Sequence, residues 1–125
     1  MRILEIRNFK HKDKPQAWLL YDPDTETFQI EIQAEADPWK LPASLFGWAM
    51  QKKYTLNSKE SLQFVQERII PAERQNIISI LNGRVYREWD MLAVNQGRCV
   101  QDDFELIPVH FDDLPEEIKR RNVSA

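Results

Sequence analysis

The chain has 125 residues, 42% hydrophobic and 30% charged, which is the balance of one globular domain and not of a disordered tract. A net charge of −3 argues against a dedicated nucleic-acid binder, which carries a basic face. The single cysteine, Cys99, excludes an internal disulfide, and no apolar run approaches the roughly 20 residues that span a bilayer. With no signal-peptide pattern at the N-terminus, the cytoplasm is the expected compartment.

Residues 2–9 mix apolar and charged positions as a strand does. Arg2, Arg7, Lys10, Lys12 and Lys14 make this end basic. That charge reads as a solvated strand edge and loop, and alternatively as a phosphate-touching patch of a weak nucleic-acid-binding accessory protein. Ala17 to Tyr21 is apolar on both faces, as in a strand covered on both sides. Asp22-Pro23-Asp24-Thr25 is a turn: proline fixes φ, and Asp22 can accept from the backbone ahead. The next strand places Phe28, Ile30, Ile32 and Ala34 on one side and Gln29, Glu31, Gln33 and Glu35 on the other. Such alternation predicts a half-buried hairpin strand whose polar side faces water.

After a linker from Asp37 to Pro42, a helix is predicted with a broad apolar face of Leu45, Phe46, Trp48, Ala49 and Met50. Asn57-Ser58-Lys59-Glu60 has the spacing of a capping box and starts a second helix with Leu62, Val65 and Ile69 on one face. Pro71 stops it and can begin another, lined by Ile77, Ile78 and Leu81 and closed at Asn82-Gly83. A short helix over 85–95 carries Val85, Trp89 and Leu92, with Gly97 as its cap. Cys99 to Val109 reads as a return to strand, interrupted by Asp102-Asp103 and ended by Pro108, and the tail from Leu114 has the charge order of a terminal helix. The expected fold is α+β in a single domain, 1–125. It combines an antiparallel β unit over 1–36, helices over 42–96 (three to four in all), and a later strand near 99–109 with a terminal helix within 98–121.

Catalytic chemistry is poorly represented. His11, His110 and Cys99 lack metal-ligand spacing, so no metal is expected. Three unclustered glycines build no phosphate loop, so no nucleotide cofactor is expected. Cys99, His110 and Asp102 could form a small uncharacterised enzyme site, against the plainer reading of Cys99 as core material. Adjacent carboxylates such as Asp102-Asp103 point to opposite faces of a strand and rarely share a proton. Arg68 and Arg74 bracket the proline of a helix corner. They read as solvated charges, as a clasp toward Asp102 or Asp103, or as an anion-binding or partner-contacting pair. Trp39, Trp48 and Trp89 are the candidate interface aromatics, because Trp is enriched at binding hot spots, against the alternative that they are core.

The order of these pieces resembles a known family. A hairpin over 17–32 precedes Leu41-Pro42; then comes Leu62-Gln63-Phe64-Val65-Gln66-Glu67-Arg68-Ile69-Ile70-Pro71-Ala72-Glu73-Arg74. Leu92 to Gly97, Asp102-Asp103-Phe104 and Pro108 close the series. This resembles the non-catalytic N-terminal region of HipA-like serine/threonine kinases of toxin–antitoxin modules, over about residues 17–109. The kinase's nucleotide loop, catalytic aspartate and metal-binding residues have no counterparts, so the resemblance carries no enzymatic activity. It implies a free-standing interaction module, partner or regulator of a separately encoded HipA-like kinase in a toxin–antitoxin or phage-related system.

Overall fold

A computed structural model describes residues 1–11, 14–69, 87–94, 96–99 and 102–122. The expected helix across 72–82, with Arg74, Ile77, Ile78 and Leu81, lies outside the described residues, as does Lys12.

The fold is α+β. Five strands form one antiparallel sheet: β1 (Arg2–Asn8), β2 (Ala17–Asp22), β3 (Thr27–Ile32), β4 (Thr55–Leu56) and β5 (Phe104–Val109), in spatial order β4-β3-β2-β1-β5. Four helices are described: α1 (Ala43–Met50), α2 (Ser58–Gln66), α3 (Glu88–Val94) and α4 (Glu116–Arg121), with short 3-10 turns at Pro38–Lys40 and Phe111–Asp113. The β2–β3 hairpin closes as its residues dictate, with Asp22 Oδ1 accepting from the Asp24 N–H at 2.9 Å.

Register fixes the two faces. Leu4 pairs with Leu19 and Leu19 with Ile30, so these side chains share one face of the sheet. They join Phe28, Ile32, Leu45, Leu56, Phe64, Val65 and Leu106 in the main core under α1, α2 and α3. On the other face Ile3, Trp18 and Leu20 meet Leu114 and Ile118, so α4 and the turn before it cover that side. β2 is therefore buried on both faces, as its unbroken apolar run requires.

That second cover corrects the reading of β3. Its polar side does not face water: Glu31 is 0% exposed. Glu31 accepts from Gln29 Nε2, from Thr55 Oγ1 at 2.8 Å and from Arg121 Nη1 at 3.0 Å. Arg121 also donates to the Ile32 carbonyl at 2.8 Å and to Glu117 at 3.0 Å, so the last turn of α4 clasps β3. A buried carboxylate persists only with such donors.

The helices depart from expectation mainly in which side they bury. α1 buries Leu45 and Ala49, while Met50 is exposed and Phe46 and Trp48 only partly covered, so the broad apolar face is split between core and solvent. α2 starts with the expected capping box: Asn57 Oδ1 accepts from the Glu60 N–H at 2.8 Å, and Glu60 Oε1 accepts from the Asn57 N–H at 3.0 Å. Its fully buried side chains are Ser61, Phe64 and Val65, with Leu62 and Ile69 packed at the margin. β5 begins at Phe104 rather than Cys99, and Pro108 lies inside it. Proline is tolerated because β5 is an edge strand. The neighbouring outward donor, Leu106 N–H, is met by the Gln96 carbonyl at 2.8 Å, which blunts the edge against further pairing.

Candidate functional site

Two of the residues singled out by sequence come together as a clasp. Arg68, with its side chain 2% exposed, pairs with Asp102 and donates to the carbonyls of Gly97 at 2.8 Å and Phe104 at 3.3 Å. Asp102 is doubly engaged, since its second oxygen accepts the Phe104 N–H at 3.0 Å. The guanidinium lies 4.8 Å from the Phe64 ring centroid. This arrangement ties the end of α2 to the start of β5. Asp103 points elsewhere and pairs with Lys10 at 3.3 Å.

The Cys99, His110 and Asp102 set is not assembled. Arg98 next to Cys99 reaches Glu105 at 2.7 Å, which places Cys99 by the beginning of β5. His110 follows the end of that strand and Asp102 precedes its start, so these two stand on the order of 20 Å apart at about 3.3 Å per residue. Both oxygens of Asp102 are already bonded. Among the described residues no cluster of three or more His, Cys, Asp or Glu could hold a metal, and no helix is long and apolar enough to cross a membrane.

Three of the basic N-terminal residues, Arg2, Arg7 and Lys10, are engaged at different places. Arg7 pairs with Glu5 at 3.2 Å and Lys10 with Asp103, while Arg2 sits on the opposite face of β1 from Arg7, 5.8 Å from the Trp89 ring centroid.

The three tryptophans divide. Trp89 is partly buried and stacks on Tyr21 at 4.6 Å with an interplanar angle of 7°. Burial, followed by the charge of Glu26, pushes the Tyr21 phenol up. Trp48 is partly buried with Lys53 Nζ 5.1 Å from its centroid. Trp39 is 83% exposed. Asp37 Oδ1 accepts from the Trp39 N–H at 3.0 Å, Gln16 Oε1 accepts from the Asp37 N–H at 2.6 Å, and Pro38 stiffens the turn between them. The Trp39 indole then meets Phe46 edge-on at 4.8 Å. Phe46 and Met50 are one helical turn apart, and the outward side of α1 carries no charged residue. Trp18, the fourth tryptophan, is 4% exposed and fills the second core.

Gly47 lies on the same outward side. A Cβ there would meet nothing within 4 Å, so no contact within the described fold requires glycine at this mid-helix position. The surface is thus Trp39, Phe46 and Met50 around bare helix backbone.

No family model, curated protein or solved structure matches this chain.

Proposed function

We propose that this chain is a non-enzymatic protein-interaction module that binds its partner through Trp39 and the outward side of α1. The observation that carries the reading is Trp39, 83% exposed yet held by the Asp37 cap and by Phe46. A large indole fixed in advance loses little conformational freedom when a partner closes over it, and such residues dominate binding energy. Met50, 60% exposed, extends the same apolar surface. The resemblance to the N-terminal region of HipA-like kinases makes a separately encoded HipA-like kinase, in a toxin–antitoxin or phage-related system, the first partner to test. A cytoplasmic setting fits the one free thiol, Cys99.

The test is binding of the purified chain and its Trp39→Ala variant to a HipA-like kinase from the native host, measured by calorimetry. A stoichiometric complex weakened about 30-fold or more by Trp39→Ala, with unchanged thermal stability, supports the assignment. Equal binding by both proteins, or no complex and a solitary monomer from the native host, overturns it.

A further inference from the structure

A second surface, sharing no residue with the Trp39 region, has the features of a small-molecule site. Between α3 and the β1–β5 edge lies a cleft of about 380 Å³. Its walls are Leu4 and Leu106 from the sheet and Trp89 and Leu92 from α3. Two polar side chains stand with them, Arg2 and Gln96. A second hollow of about 310 Å³ adjoins it and shares Arg2, Leu4, Trp89 and Pro108, so these residues sit where the two meet.

The sequence makes this cleft in a definite way. Arg2 pairs with Tyr21 in the β1–β2 register and so projects on the core side of the sheet, at its end, where α3 lies. Pro108 opposite Leu4 supplies no N–H, so the adjoining strand edge lacks one backbone donor. Trp89 is fixed by its parallel stack on Tyr21, giving the cleft one rigid aromatic wall. Among the described residues Arg2 has no carboxylate partner; its guanidinium lies 5.8 Å from the Trp89 ring centroid. An apolar cleft of this size with one or two convergent polar groups is the usual form of a ligand pocket. The guanidinium presents a planar fork of donors that matches a carboxylate.

We propose that this cleft binds a small monocarboxylate with a compact apolar body. The carboxylate pairs with Arg2, assisted by the Gln96 amide. The hydrocarbon lies against Leu4, Leu92, Leu106 and the Trp89 face. The walls supply most of the affinity through burial, and Arg2 supplies the discrimination in favour of the acid. This proposal is independent of the Trp39 surface, and either can fail without the other.

The experiment is NMR titration of the full chain with hexanoate and, separately, with hexanol, following the backbone amides and the Trp89 indole N–H. Saturable shifts centred on Leu4, Trp89, Leu92 and Leu106, with hexanoate bound at least about tenfold tighter than hexanol, are expected. Arg2→Met should remove that preference by a similar factor, and Arg2→Lys should restore part of it, because the charge returns without the fork. Arg2 is exposed, so both variants should keep the native spectrum. Equal binding of acid and alcohol, shifts centred elsewhere, no saturable binding of either probe, or a preference untouched by Arg2→Met in a folded protein would each overturn the proposal.

Discussion

At Gly97 φ is +69°, and a Cβ would lie 2.5 Å from Leu106 Cγ. The glycine is needed twice, for its left-handed backbone and for the approach of β5. Its N–H returns to the Leu92 carbonyl at 3.0 Å, and Gln96 before it is also left-handed at φ 53°. The reversal after α3 therefore uses both residues, whereas the sequence pointed to Gly97 alone. Gly97→Ala should lower unfolding free energy by about 1–3 kcal/mol, read from the urea midpoint at unchanged slope. Arg68 is the other demanding position. Replacing it by Met leaves Asp102 and two carbonyls without their buried donor. Loss of one partner from such a pair costs about 3–5 kcal/mol. A shift of the urea midpoint worth less than about 1 kcal/mol would show that solvent reaches Asp102 and takes over the role. The residue types alone admitted this pair, since arginine suits bidentate carboxylate contacts. They did not choose between Asp102 and Asp103, because that choice depends on which way the chain turns into β5.

At the level of single elements, local signals were legible and facing was not. The α2 capping box is set by residues three apart, and it forms as the spacing requires. Glu60 also bonds Lys53 Nζ at 2.7 Å. The Lys53 hydrogen bond first, and the Asn57 backbone N–H second, hold its carboxyl below the usual glutamate range. A carboxylate with a depressed folded pKa adds stability that is fully present above its unfolded pKa. That stability is lost as pH falls through the folded value. Glu60→Gln should therefore flatten the acid limb of the stability curve and matter least below the folded pKa. Identical acid limbs for both proteins would refute the role. The α1 terminus makes a related point. The Lys53 N–H reaches the Trp48 carbonyl at 2.9 Å and the Lys52 N–H the Ala49 carbonyl at 3.0 Å, the two bonds of a Schellman cap. Lys52 holds the left-handed position at φ 58° where glycine is easier. Lys52→Gly should raise the thermal midpoint by relieving up to about 1 kcal/mol. Which side of α1 meets the core was hidden, since all five apolar residues fit one broad stripe and only Leu45 and Ala49 are buried.

Across the whole molecule, the sheet is a shared wall between two unequal cores. The larger lies under α1, α2 and α3, and the smaller is closed by Leu114 and Ile118. β2 showed this arrangement in its sequence, being apolar on both faces. β3 concealed it, because the partner of Glu31 lies 90 residues away and no spacing rule links them. The consequence is uneven stability. α4 has six residues, too few to be helical alone, and depends on Ile118, Leu114 and the Arg121 clasp. Its amides should exchange through local opening, while Leu4 and Leu19 exchange only on global unfolding. Arg121→Met strands Glu31, which is 0% exposed, and should favour that opening. Because Arg121 is itself 24% exposed, the expected loss is discounted to about 1–3 kcal/mol. Hydrogen exchange of the Ile118 and Asn122 amides, bonded to the Pro115 and Lys119 carbonyls at 3.0 and 3.1 Å, is the direct measurement. Protection of these amides equal to that of Leu19, unchanged by Arg121→Met, would mean that the two cores unfold as one unit and that the clasp adds nothing separate.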